Sequence, residues 1–150
     1  MTRLDQFLAF SADVTAFTVF QLRGTGQAEA YLGAVTDVVG EELVGDLLDR
    51  HQALGTGELD DLLRREIFSD ERLGPIARNI VKLWFVGTWY ELPAAWRERF
   101  GPLDGDVTFT VSAMAYTEGL LWPAIGANPP GAKGPGYGSW SGPPLIPEIA

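Results

Sequence analysis

The stretch "QAEAYLGAVTDVVGEELVGDLLDRHQAL", residues 27–54, decides the fold. Ala28, Tyr31, Leu32, Val35, Val38 and Val39 recur with a period near 3.6, which places them along one side of a helix. Past Gly40 the same spacing returns in Leu43, Val44, Leu47, Leu48 and Leu54. Neighbouring apolar stripes of this kind predict helices packed on one another.

The pattern extends in both directions. Upstream, Thr2 and Asp5 form an N-cap and an acid in a first turn, ahead of Leu4, Phe7, Leu8 and Val14 at helical spacing. "VTAFTVFQL" (14–22) is β-branched and aromatic and, taken alone, also suits a strand. Downstream, Leu59, Leu62, Leu63 and Ile67 form a third stripe, with Asp60, Asp61, Arg64, Arg65 and Glu66 on its wet side. Pro75 suits the first turn of a fourth helix, whose face is Ile76, Ile80, Leu83, Trp84 and Gly87. "YELPAAWRERFGPLDGD" (90–106) reads as a loop or short helix. Residues 107–111 are ambiguous, and Ser112 to Trp122 read as helix. The expected fold is therefore all-α: a single small domain of five or six helices over residues 1–122. A long extended Gly/Pro-rich strap occupies 123–150.

Of the 29 residues from Trp122 to Ala150, 13 are Gly or Pro, a composition that usually marks disorder. The same stretch also carries Trp122, Tyr137, Trp140, Leu145 and Ile146, which favour burial. From Leu103 onward only Asp104, Asp106, Glu118, Lys133 and Glu148 are charged, against 31 charged residues in the chain. A third of the chain with so little charge needs something to pack against.

Bulk composition excludes several functions. The 150 residues suffice for one domain with a core, and 46% hydrophobic residues with 21% charged indicate a globular chain. A net charge of −9 argues against nucleic acid or an anionic membrane as partner. No cysteine is present, so disulfides and Cys-held metals are out. No apolar run is long enough for a membrane span. The opening "MTRLDQFLAF" has no secretory signal, so the chain as it stands reads as cytoplasmic.

Candidate chemistry is sparse. His51 is the only histidine and sits beside Arg50, as expected of a surface or helix-end residue. The pairs Glu41/Glu42 and Asp60/Asp61 are adjacent, so each splays around a helix instead of converging. "DGD" (104–106) is too short for a calcium loop. "GTGQAE" (24–29) would be a dinucleotide turn only if the residues before it were a strand, and Glu29 stands where a third glycine belongs. "GPGYG" (134–138) lacks the Lys-Ser/Thr of a phosphate loop. Ser11, Ser112, Ser139 and Ser141 lack a nucleophile elbow. No catalytic, cofactor-binding or metal residue is assigned. Trp84, Trp89, Tyr90 and Trp96 cluster within 13 residues. Trp84 reads as core; Trp89 and Tyr90 are candidates for a partner surface, where aromatics concentrate. The strap adds Trp122, Pro129, Pro130, Tyr137, Trp140, Pro143 and Pro144 to that candidate interface.

"IVKLWFVGTWY" (80–90), "AYTEGLLWPAIGANPPG" (115–131) and "GPGYGSWSGPP" (134–144) resemble the small subunit of bacterial membrane-bound sorbitol, fructose and glucose dehydrogenases. "FLAFSADVTAF" (7–17) and "AEAYLGAV" (28–35) are similar to that family's opening, so the resemblance spans most of the chain. It implies a mostly helical, non-catalytic subunit that stabilises, chaperones or helps export a large subunit of the glucose–methanol–choline type. FAD and the sugar site would lie on that large subunit, with a cytochrome c subunit as a possible electron acceptor. It also makes 14–22 a helix end and connector. Family members usually bear a twin-arginine signal ahead of the region at which this chain begins. The resemblance thus offers a periplasmic alternative, if such a signal was trimmed or the partner carries it. Where many members have a Cys after Pro-Pro-Gly, this chain has Ala132 and Lys133, which rules out a disulfide there. The alternative function is a free-standing interaction module whose "PLIP" (144–147) is a Pro-rich ligand.

Overall fold

The computed structural model describes residues 1–129. Helix α1 (Arg3–Thr15) starts at a capping box: Asp5 N donates to Thr2 Oγ1 and Thr2 N donates to Asp5 Oδ2, both at 3.1 Å. It stops at Ala16, whose φ of 63° is left-handed. A second capping box, Thr18 with Gln21, opens α2 (Val19–Gly24). The central stripes become α3 (Ala28–Val39) and α4 (Glu41–Gln52), which meet at Gly40. Helix α5 (Leu59–Leu63) runs on as a π-helical turn, Arg64–Phe68, and then comes α6 (Leu73–Val86).

Helix α1 packs on α2, α3, α4 and α6, and α3 also packs on α4 and α6. The core lies among them. Phe7, Phe10, Tyr31, Val35, Leu47, Ile76, Leu83 and Trp84 are all buried. Trp84 is at its centre, with its ring 4.9 Å from that of Tyr31 and 6.0 Å from that of Phe7. The apolar stripes thus point inward, as the period predicted; Leu59, at 40% exposure, is the member that does not.

After α6 the chain leaves helical periodicity. Strand β1 (Thr88–Trp89) pairs antiparallel with β2 (Phe109–Thr110), in the register Thr88 with Thr110 and Trp89 with Phe109. Between them lies α7 (Ala94–Phe100), and after them α8 (Ala113–Thr117) and α9 (Leu121–Ile125).

Three expectations are corrected. The fold is mostly helical, as expected, with one small sheet added, of which β2 falls in the stretch 107–111 that the sequence leaves ambiguous and β1 just after α6. The helices are shorter and more numerous than the stripes alone indicate; the segment 112–122, read as one helix, breaks at Glu118–Leu120. Residues 123–125, assigned to the strap, belong to α9, which runs through Trp122 and Pro123 and ends on Gly126 at φ 72°. The rest of the strap from Pro130 on, with Pro130, Tyr137, Trp140, Pro143 and Pro144, lies outside the described residues.

Candidate partner-binding face

The short elements at the two ends of the domain meet. Phe17, just before α2, packs edge-on against Phe85 of α6, with ring centres 6.1 Å apart. Leu22 is the buried residue of α2, and the six-residue helix leaves Val19 and Phe20 outside, Phe20 at 87% exposure. On the other side, Ser112 caps α8 by accepting from Ala115 N at 3.0 Å. The chain then crosses back over α6, where Leu120 N donates to Trp84 O at 2.9 Å. A Cβ on Gly119 would stand 2.6 Å from Phe85 O, so only glycine allows this crossing. Helix α9 is pinned in turn: Trp122 Nε1 donates to Tyr116 O at 2.9 Å, and the two rings stack edge-on at 5.6 Å.

This arrangement opens a groove of about 380 Å³ between α2 and the α8–α9 segment, lined in part by Phe17, Gln21, Thr25, Trp122, Pro123 and Pro129. Glu118 is the one ionisable residue among the described residues lining it. The helices that flank the groove also carry Val19, Phe20, Met114, Tyr116, Leu121 and Ile125. These are six of the ten exposed large hydrophobic residues of the described chain, all on α2, α8 and α9. Singly exposed apolar residues are ordinary, whereas a concentration on neighbouring elements is a candidate interaction surface. Burying one such side chain stabilises an assembly by about 1.5–3 kcal/mol.

The sequence-derived interface residues separate. Trp122 is half-buried at the groove, Pro129 is buried there, and Tyr90 is 39% exposed on another part of the surface, with Lys82 Nζ 5.1 Å from its ring centre. Trp89 does not belong among them. It is buried, and its Nε1 donates to Asp106 Oδ1 at 2.9 Å. The same carboxyl accepts from Leu92 N at 3.0 Å, which ties the turn after β1 to the turn before β2. Trp96 is likewise held inside, donating to Arg72 O at 2.8 Å. The residues the sequence reading missed are Phe20, Met114, Tyr116, Leu121 and Ile125. Their signal is weak, because helices of five or six residues complete under two turns and show no periodicity.

Elsewhere the one histidine has a structural partner, whereas the buried Ser11 Oγ, Tyr31 OH and Trp84 Nε1 have no hydrogen-bond partner among the described residues. His51 Nε2 lies 2.7 Å from Asp13 Oδ2, joining α4 to α1, and Phe10 packs edge-on against the imidazole at 5.4 Å. The segment before "GTG", which a dinucleotide turn would need as a strand, is helix α2. Burial pushes the Tyr31 phenol well above its ordinary value, and nearby Glu118 adds to the effect. Among the described residues no group of three or more His, Asp or Glu is placed to hold a metal ion, and no helix is long and apolar enough to cross a membrane. Comparison of the chain with family models, curated proteins and solved structures gives no match.

Proposed function

We propose that this chain is a non-catalytic accessory subunit that binds and stabilises a flavin-dependent sugar or glycoside dehydrogenase of the glucose–methanol–choline type. FAD and the reacting sugar belong to the partner, with a cytochrome c subunit as its electron acceptor. The observation that carries this reading is the apolar face of α2 and α8–α9. It has the composition of an interface core, aromatic and aliphatic with charge depleted, on a chain of net charge −9. The family resemblance of residues 80–90 and 115–131 supplies the class of partner, and the second of these segments includes α9 and most of α8.

Co-expression with a flavin-dependent sugar dehydrogenase, and affinity capture through this subunit, tests the reading. The expected result is a stoichiometric complex bearing the flavin absorbance of the partner. Capture of the folded chain alone, with the dehydrogenase soluble and flavin-loaded in the unbound fraction, would overturn it.

A further inference from the structure

Three polar atoms at the centre of the domain stand apart from the rest of its hydrogen bonding. Ser11 on α1, Tyr31 on α3 and Trp84 on α6 are all 0% exposed, and Ser11 Oγ, the Tyr31 hydroxyl and Trp84 Nε1 have no hydrogen-bond partner among the described residues. The other described indoles are satisfied: Trp89 Nε1 by Asp106 Oδ1, Trp96 Nε1 by Arg72 O and Trp122 Nε1 by Tyr116 O, at 2.9, 2.8 and 2.9 Å. So are the buried side chains of Gln6, Thr15 and Asn79. Buried polar groups rarely go without a partner, because each has given up its hydration. We infer that the junction of α1, α3 and α6 binds a structural water molecule, held by the Tyr31 hydroxyl, Trp84 Nε1 and Ser11 Oγ.

The packing brings the three groups to one place. Tyr31 and Trp84 meet edge-on, with ring centres 4.9 Å apart. Phe7 packs on the same indole at 6.0 Å, and Ser11 follows Phe7 by four residues, which puts it on the same side of α1. Each pair among α1, α3 and α6 is in contact.

Donors and acceptors fit one water. The indole N–H can only donate, whereas a hydroxyl donates or accepts. Burial keeps the Tyr31 phenol protonated, so it too has a hydrogen to give. The water accepts from Trp84 and Tyr31 and donates to Ser11 Oγ. The Ser11 hydrogen is then free to turn to the carbonyl one turn back along α1. Three hydrogen bonds are typical of a buried water. A hydrocarbon occupant would leave all three groups unsatisfied, which selects water. The site also bears on the neighbouring elements. Trp84 O accepts from Leu120 N at 2.9 Å, so the residue that holds the water also holds the crossing into α9. Fixing the indole steadies that crossing, whichever partner the nearby face takes.

A crystal structure of the full chain with ordered solvent is the direct test. The expected result is a water within hydrogen-bond distance of both Trp84 Nε1 and the Tyr31 hydroxyl. No water in contact with both groups would overturn the inference. Two conservative variants read the same site in solution. Tyr31→Phe is expected to lower the melting temperature by a few degrees, since the water loses a partner. A hydroxyl that binds nothing would be removed at no cost or with a gain, so an unchanged or raised melting temperature would sink the idea. Ser11→Ala is expected to cost less than half as much in the Tyr31→Phe background as in the native chain, because both changes act on one water. Losses that simply add would show that the two hydroxyls share no site, and would equally overturn it.

Discussion

Asp106 is the residue on which the non-helical part of the domain turns. It is 3% exposed, and one carboxyl oxygen takes both the Trp89 indole N–H and the Leu92 amide. Asp106→Ala leaves two buried donors without an acceptor. The expected cost is about 3 kcal/mol, read from urea unfolding, with near-ultraviolet circular dichroism reporting a loosened Trp89. Asp106→Asn keeps an acceptor oxygen and is expected to cost less than half as much. Equal losses in the two variants would mean that charge, and not hydrogen bonding, is what this site requires. Asp70 makes a different contribution, visible in pH. Burial alone would raise its carboxyl, but hydrogen bonds from Leu73 N, Arg50 and Arg72 N outweigh that and hold it below its ordinary value. Because the folded state binds this proton less readily than the unfolded chain, the stabilisation is present above about pH 4 and is lost as pH falls through the lower folded value. Asp70→Asn is therefore expected to flatten the fall of stability on acidification below about pH 4. Unchanged slopes in unfolding midpoints from pH 5 to pH 3 would refute it. Neither role was legible from sequence. Asp106 meets Trp89 across 17 positions and Asp70 meets Arg50 across 20, and no local pattern announces such pairs.

Among the elements, α1, α3, α4 and α6 were legible because each is long enough for its stripe to repeat, and tertiary packing rewards the stripe. The two-residue strands could not show an alternation, and α2, α8 and α9 could not show a period. Contact with α6 fixes β1 and α9, while α2 packs on α1 and α8 on β2, and the sequence reveals the crossings over α6 only as isolated glycines. Gly87 ends α6 at φ 69°, and its N–H donates to Leu83 O at 2.8 Å. Its carbonyl accepts from Val111 N at 2.9 Å, and a Cβ there would sit 2.7 Å from Ala115 O. Gly87→Ala thus meets a strained backbone conformation and a clash with backbone at once. A loss of about 2–4 kcal/mol is expected, concentrated in β1, β2 and α8. Hydrogen exchange checks the location: β1, β2 and α8 amides should lose protection while α3 and α4 keep theirs. Uniform loss across all elements would show that the sheet and the helical core unfold as one unit.

At the scale of the described molecule, the chain divides its labour between a core built from the central helices and a charge-poor face built from α2 and the α8–α9 segment. Composition suggested where that face begins, from the fall in charge after Leu103, but only the packing shows that α2 completes it. This placement changes where the chain should be cut. Ending it at Trp122 would divide α9 and remove Ala127 N, which donates to Trp122 O at 2.9 Å, so loss of binding there would be confounded with loss of structure. Ending it at Pro129 spares every described element. The shortened chain is expected to unfold within about 1 kcal/mol of the full chain, since the buried core lies upstream. If the segment beyond Pro129 contributes partner contacts, the shortened chain should capture the dehydrogenase at least tenfold more weakly. Phe20→Glu in the full chain separates the face from the segment. At 87% exposure the change costs little stability, yet it replaces an exposed apolar side chain of α2 with a charge. It is expected to abolish capture with the melting temperature unchanged. Full capture by the Phe20→Glu variant would show that α2 takes no part in the interface, and that the partner reads only α9 and the residues C-terminal to it.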